Sequence, residues 1–230
     1  MKIEVLPDAD AVAEAAASFI AAEAREAVAA RGKFVLAVSG GRTPWVMLKA
    51  LAQKDVQWNS LHILQVDERI APAGDPDRNL THLRESFMER APIPAGNLHA
   101  MPVEAADPEQ AAAEYAKTLH ELCGSPPVID LIHLGLGPDG HTASLVPGDS
   151  VLDVTDRDVA LTGGLYQKRR RMTLTFPTLN RARKILWVVT GADKPGPLLQ
   201  LKKADHAIPG GRVIQDRATV LADKVAATQL

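Results

Sequence analysis

Four short, mainly apolar runs in the sequence are each followed by glycine or by charged residues. The runs cover residues 34–38, 61–66, 129–134 and 185–189. Runs of this length are typical of strands buried on both faces of a parallel sheet. Segments with helical spacing separate them, as expected when helices connect parallel strands. The sequence therefore predicts an α/β fold with a mostly parallel sheet and helices on both faces.

Capping residues set the expected limits of the first helix. Asp8 or Asp10 is suited to the N-cap, and Gly32 is placed to end the helix after about Ala30. Near the other end of the chain, residues 219–222 are predicted to add an edge strand. No internal repeat, linker or low-complexity segment interrupts this order.

Composition predicts one domain over residues 1–230, since 46% of the 230 residues are hydrophobic and 23% are charged. The net charge of -2 offers no field for nucleic acid, and no apolar stretch reaches the ~20 residues that cross a bilayer, so neither partner is expected. The acidic N-terminus has no signal-peptide core, which predicts a cytoplasmic protein. The single cysteine, Cys123, excludes an internal disulfide and is predicted to be a small buried hydrophobe.

The loop over residues 135–148 follows one of the predicted strands and carries Asp139 and His141 among four glycines. Ligands of open α/β sheets bind at the carboxyl edge of the strands, so both side chains are candidates for proton chemistry. The first six residues also fit the G-x-G-x-x-G pattern of dinucleotide sites. That interpretation fails because Pro147-Gly148 stops the long helix it needs, and Asp139 would repel the pyrophosphate.

A second glycine turn, Ser39-Gly40-Gly41-Arg42, separates a predicted strand from a helix for which Thr43 and Pro44 suit the N-cap and N1 positions. Backbone N–H groups at such a turn bind phosphate. The alternatives are an ordinary tight turn and a nucleophile elbow, with Ser39 as the nucleophile.

Charged residues lie at the ends of three predicted strands, where charges seldom serve a purely structural purpose. Asp67, Glu68 and Arg69 follow residues 61–66, while Arg171 adjoins a predicted strand and Lys194 lies in the turn after residues 185–189. Arg171 is the member of the basic run 168–171 expected to enter the cleft. The cations and glycines are predicted to hold a phosphate, with Asp67, Asp139 and His141 performing proton transfer beside it.

The motifs SGGRTP, VDER, GLGPDGHTASLVPG, RMTLTFP and VVTGADK, in this order, resemble those of the 6-phosphogluconolactonases. The resemblance implies a Rossmann-like fold, a phosphosugar substrate, and neither metal nor nucleotide cofactor. It implies that His141 is the general base of lactone hydrolysis. It further implies a phosphate site at Ser39, Gly40 and Gly41 with Arg171 and Lys194, and a sugar site lined by Asp67 and Arg69.

Two departures refine the resemblance. The related glucosamine-6-phosphate deaminases carry a glutamate five residues after the loop histidine, where this chain has Val146. The proline-rich approach to the strand that is common among lactonases is replaced by residues 166–171.

We expect hydrolysis of 6-phospho-D-glucono-1,5-lactone by a monomer or weak homo-oligomer. An isomerase or deaminase using Asp67 as enolisation base, and a non-catalytic phosphosugar-binding module, are the alternatives.

Overall fold

The computed structural model describes all residues 1–230, and its centre is a sheet of seven strands. The strands are β1 (Lys2–Leu6), β2 (Phe34–Val38), β3 (Leu61–Gln65), β5 (Leu98–His99), β6 (Leu131–Leu134), β9 (Lys184–Val189) and β10 (Ala218–Asp223). They lie in the order β1-β10-β9-β6-β2-β3-β5. Every neighbouring pair is parallel, which confirms the predicted sheet.

A second, smaller sheet was not predicted. It consists of β4 (Asp67–Arg69), β7 (Val159–Leu161) and β8 (Arg171–Leu174), paired antiparallel in the order β4-β8-β7. Val66 joins the two sheets, because its N–H donates to Val38 O and its carbonyl accepts from Leu174 N. The small sheet therefore starts at the carboxyl edge of the large one.

Helices cover both faces of the large sheet, as predicted. They are α1 (Ala9–Arg31), α2 (Arg42–Leu51), α3 (Asn79–Leu83), α4 (Pro108–Cys123), α5 (Phe176–Arg181) and α6 (Pro195–Lys202). Apolar side chains of α1, α2 and α3 pack in one buried cluster, and those of α4, α5 and α6 pack in the other. The resulting architecture is a Rossmann-like α/β fold. None of the helices combines the length and apolar character needed to cross a lipid bilayer.

The limits of α1 follow its capping residues. Asp8 accepts a 2.8 Å hydrogen bond from Ala11 N, and Gly32 ends the helix with φ +75°, a conformation that favours glycine. Both positions agree with the prediction. In α2, however, the N-cap is Gly41 rather than Thr43. The Thr43 hydroxyl instead lies 2.6 Å from the Thr190 hydroxyl, so it joins the ends of two loops.

The position of β10 also differs from the prediction. This strand lies between β1 and β9 and is almost entirely buried, whereas β1 is the edge strand. Residues 2–6 escaped prediction because their exposed face carries charged side chains, which dilute the apolar pattern of a strand. Cys123, predicted to be buried, is the last residue of α4 and is only partly buried; this burial raises the pKa of its thiol to about 12.

Candidate active site

A cleft of about 560 Å³ opens at the carboxyl ends of β2, β6, β9 and β10. It brings together nine of the ten residues that the sequence predicted for the site. These are Ser39, Gly40, Gly41, Arg42, Asp67, Arg69, His141, Arg171 and Lys194. The tenth, Asp139, contacts His141 directly. Residues separated by more than 150 positions thus meet at one edge of the sheet, as the parallel topology requires.

The loop after β6 is shaped by its own hydrogen bonds. Gly137 N donates to His141 O at 2.8 Å, and Thr142 Oγ1 donates to Gly135 O at 2.9 Å. Two glycines make room for side chains: a Cβ on Gly137 would lie 2.0 Å from His141 Nδ1, and one on Gly140 would lie 2.4 Å from Ile208 Cβ. Only the single 3-10 turn Ser150–Asp153 follows, and the absence of a long helix agrees with the rejection of a dinucleotide site.

Asp139 and His141 form a hydrogen-bonded pair. Asp139 Oδ1 lies 2.5 Å from His141 Nδ1 and also accepts from His141 N at 3.1 Å. Burial alone would raise the pKa of Asp139, but the hydrogen bonds and charge of His141 outweigh it, so the carboxyl pKa lies below its usual value. An ionised Asp139 keeps the proton of the neutral ring on Nδ1. The Nε2 lone pair is then the one available as a base.

The glycine turn after β2 exposes the first turn of α2. Gly41 caps this helix without any side-chain hydrogen bond, so the N–H groups at its start are open to an anion in the cleft. Ser39 N is already used, because it donates to His133 Nδ1 at 3.2 Å. The Ser39 hydroxyl is buried without a hydrogen-bond partner and therefore has no adjacent base to activate it.

Arg171 is the buried cation of the cleft, with only 3% of its surface exposed. Its Nη2 donates to Gln167 Oε1 at 2.9 Å, and its Nη1 lies 3.9 Å from the Asp67 carboxylate. Burial lowers the pKa of Arg171, and Asp67 opposes that effect; a guanidinium keeps its charge nonetheless. Its Nε is buried without a hydrogen-bond partner, so protein groups do not satisfy the guanidinium completely.

The other cations of the cleft are less enclosed. Lys194 Nζ contacts Asp193 Oδ2 at 2.7 Å, and Arg42 is exposed at the start of α2. Arg69 donates to the carbonyl of Asp77 and, like Arg171, has a buried Nε without a partner. The rest of the basic run lies elsewhere: Arg169 pairs with carboxylates of the loop before α3, and Lys168 is exposed.

Glu68 corrects the expectation that charges after residues 61–66 belong to the ligand site. Its carboxylate is fully buried and accepts 2.8 Å hydrogen bonds from four donors. The donors are Gln65 Nε2, Arg69 N, Asn79 N and Leu80 N. Glu68 also faces the buried Arg78 at 3.7 Å. It therefore holds the start of α3 instead of facing the cleft.

Three contributors to the site were not among the residues predicted from the sequence. Asn79 supports the glycine turn, because a Cβ on Gly40 would lie 1.9 Å from Asn79 Oδ1. The Ser144 hydroxyl donates to Asp67 Oδ2 at 2.6 Å. The Tyr166 hydroxyl lies 3.2 Å from Asp139 Oδ2. Each of these contacts joins segments far apart in sequence, so local pattern does not reveal them.

No group of three or more His, Cys, Asp and Glu side chains is arranged to hold a metal ion. The fold and the polar cleft together define a Rossmann-like α/β protein whose candidate ligand site lies at the carboxyl edge of its sheet. Residues 7–222 match the family described as glucosamine-6-phosphate isomerases/6-phosphogluconolactonase. The chain belongs to this family.

Individual relatives agree with the family assignment. The 6-phosphogluconolactonase of Synechocystis sp. is 36% identical over 96% of this chain and 93% of its own length. The crystal structure of 6-phosphogluconolactonase from Thermotoga maritima superposes with a TM-score of 0.85 at 29% identity, covering 96% of this chain and 98% of that one. A monomeric glucosamine-6-phosphate deaminase superposes with a TM-score of 0.87 over 100% of both chains at 18% identity, which shows a shared fold alone.

Proposed function

We propose that this protein is a 6-phosphogluconolactonase that hydrolyses 6-phospho-D-glucono-1,5-lactone to 6-phosphogluconate, a step of the oxidative pentose phosphate pathway. The observation that carries the proposal is the Asp139–His141 pair, held at 2.5 Å at the side of a cleft that also contains a buried arginine. The names of the relatives support the same reaction. Hydrolysis of a lactone needs a base, a water molecule and positive charge for the oxyanion, with no covalent intermediate.

His141 acts as the general base in this proposal. Its Nε2 takes a proton from a water molecule, which attacks the lactone carbonyl, while Asp139 stabilises the imidazolium that forms. The C–O bond to the ring oxygen then breaks, and His141 returns the proton to the leaving alkoxide. The alkoxide stays tethered to the product, so it remains within reach of the same ring.

The phosphate anchors the substrate at the other end of the cleft. The N–H groups at the start of α2, the free donor of Arg171 and the ammonium of Lys194 are the proposed ligands. Arg69 has a vacant buried donor and is the candidate for stabilising the oxyanion. Binding energy from the phosphate is thereby converted into orientation of the lactone carbonyl.

Position 146 weighs against the deaminase alternative. Val146 is buried and has no group that can polarise His141. Asp67, the residue an isomerase would use as enolisation base, is only 4% exposed and already accepts a hydrogen bond from Ser144. Both observations favour hydrolysis over ring opening and enolisation.

One pair of assays distinguishes the candidates. The protein is offered 6-phosphogluconolactone generated in situ, with acid release followed, and glucosamine 6-phosphate, with ammonia followed. Acid alone supports the lactonase, and ammonia contradicts it. The absence of both products, together with binding of 6-phosphogluconate, indicates a phosphosugar-binding module. Unphosphorylated gluconolactone is the substrate control and is expected to react poorly, because it lacks the anchoring anion.

A further inference from the structure

A hairpin between β7 and β8 brings Tyr166 to the Asp139–His141 pair. Tyr166 N donates to Arg169 O at 2.9 Å, and Arg169 N donates back to Tyr166 O at 3.2 Å. Between them, Gln167 and Lys168 form a two-residue turn with φ +50° and +67°. Such positive φ values match the twist of a tight hairpin, although they are uncommon for residues other than glycine. The turn therefore holds Tyr166 in one direction.

The base of the hairpin is also fixed. Asp149 accepts hydrogen bonds from Gly163 N and Gly164 N at 2.9 and 3.0 Å. On the other side, Arg169 pairs with Asp75 at 3.0 Å and Asp77 at 3.1 Å. Although most of the hairpin is exposed, these contacts attach it to two separate loops. Tyr166 is therefore presented from a supported element.

Tyr166 contacts three members of the site. Its hydroxyl lies 3.2 Å from Asp139 Oδ2 and 3.3 Å from His141 Nδ1. Its ring meets the His141 imidazole edge-on, with 5.1 Å between centroids. The guanidinium of Arg171 lies over the same ring, 4.9 Å from its centroid. One side chain thus touches the base, its carboxylate and the buried cation.

Asp139 depends on this contact for its position. Its other hydrogen bonds go to the backbone and ring of His141, two residues away in the same loop. The Asp139 side chain is 38% exposed, so packing alone does not fix it. Tyr166 supplies the one hydrogen bond to Asp139 from outside the loop.

We propose that Tyr166 is a positioning residue of the reaction: its hydroxyl fixes the Asp139 carboxylate behind His141, and its ring supports Arg171. This inference rests on the proposed function, and it concerns a segment, residues 166–171, in which the chain departs from the proline-rich pattern of the lactonases. The hydroxyl and the ring perform separate tasks, so two substitutions separate them.

The hydroxyl has an electrostatic effect as well as a geometric one. By donating to Asp139, it takes up part of the negative charge that would otherwise stabilise a protonated His141. The charged and titratable groups in contact around the pair are Tyr166 from the hairpin and, across its ring, Arg171 from β8. Removing the hydroxyl should therefore let His141 take up its proton at higher pH.

The test compares Tyr166→Phe, which keeps the ring, with Tyr166→Leu, which removes it. Tyr166→Phe should lower kcat about three- to tenfold, as expected for loss of one hydrogen bond, with KM little changed. In Tyr166→Phe, kcat/KM should begin to fall at a higher pH than in the wild type as the solution is made more acidic. Tyr166→Leu should show the same loss of kcat and also a raised KM. Leu165→Ala is the matched control, since Leu165 is 74% exposed on the same hairpin.

An NMR titration of the His141 ring makes the test independent of catalysis. The His141 resonance is assigned from its absence in His141→Asn, and its protonation midpoint is measured in wild type and Tyr166→Phe. A midpoint that moves to higher pH supports the inference even if the wild type does not hydrolyse the lactone, a result that would overturn the proposed function alone. An unchanged midpoint, or a Tyr166→Phe enzyme with wild-type kcat and pH profile, overturns the positioning role of the hydroxyl. An unchanged KM in Tyr166→Leu overturns the proposal that the ring supports Arg171.

Discussion

The Ser144 hydroxyl donates a 2.6 Å hydrogen bond to the buried Asp67 carboxylate. Ser144 lies in the loop after β6, and Asp67 begins β4 of the small sheet, so this bond joins the loop of His141 to the strands that carry Arg171. The same Asp67 oxygen lies 3.9 Å from Arg171 Nη1. Asp67 therefore neutralises and holds a cation of the cleft rather than standing free as a base.

We predict that Asp67→Asn acts mainly through Arg171. The amide removes the negative charge facing the guanidinium while keeping the size of the side chain. Loss of a charged partner is typically worth about 1.5–3 kcal/mol, so KM for the lactone should rise roughly tenfold or more. Steady-state kinetics provide the measurement, with Asp216→Asn as control, since Asp216 is exposed and lies outside the cleft. A large loss of kcat at unchanged KM would instead assign proton transfer to Asp67.

His141→Asn should leave the fold intact and lower kcat by about 10²–10⁴, the usual contribution of a positioned general base. Asn retains a polar group in the loop but cannot accept the proton. In the wild type, kcat/KM should fall as pH decreases and the ring becomes protonated, and this acid limb should vanish in the variant. Spontaneous hydrolysis is subtracted at each pH. Near-wild-type turnover would remove His141 from the mechanism.

Alanine substitutions at Arg171 and Lys194 test the phosphate site. Each should weaken binding of 6-phosphogluconate roughly tenfold or more, because a charge-assisted hydrogen bond to the phosphate is lost. The effect should be larger for Arg171, which is buried, than for Lys194, which is already paired with Asp193. Lys117→Ala is the control, since Lys117 is exposed on α4 and lies outside the cleft. Wild-type affinity for 6-phosphogluconate in both variants would show that the phosphate binds elsewhere.

His133 predicts how acid affects stability. Burial lowers the pKa of this fully buried ring to about 3 in the folded protein, whereas the unfolded chain titrates near its ordinary value of 6.5. Between these values the unfolded state binds the additional proton, so stability falls as pH decreases. The loss is at most about 1.4 kcal/mol per pH unit inside that window.

Thermal unfolding at pH 7 and pH 5 measures this effect. His133→Gln, whose amide oxygen can still accept from Ser39 N, should lose less stability between the two pH values than the wild type does. His206→Gln should behave like the wild type, because His206 is exposed. Equal losses in His133→Gln and wild type would show that the buried ring does not contribute.

The large sheet and most of the cleft could be predicted because their signals are local. Apolar runs mark the buried strands, and the glycines and charges at their carboxyl ends meet wherever strands are parallel. The small sheet could not be predicted, since β4 and β7 have three residues each and their pairing depends on long-range contacts. The same limit concealed Tyr166, whose approach to Asp139 depends on a turn formed without glycine.

Glu68 illustrates a different limit of sequence reasoning. A carboxylate after a buried strand is equally suited to bind a ligand or to accept hydrogen bonds from backbone N–H groups of a neighbouring segment. Here the second use prevails, because the start of α3 approaches Glu68 and offers two backbone donors. Asp67 and Arg69, on either side of it, face the cleft as predicted. Only the alternation of side chains along β4 separates these outcomes.

The glycines of the His141 loop have a consequence for automated motif searches. Gly137 and Gly140 give space to two side chains of the protein itself, an imidazole and an isoleucine, rather than to a pyrophosphate. Two unrelated steric demands have thus converged on one six-letter signature. A search that stops at the third glycine will assign nucleotide binding to chains of this kind. Extending the signature by one position, to the histidine that Gly137 accommodates, would distinguish chains with this loop from dinucleotide-binding proteins.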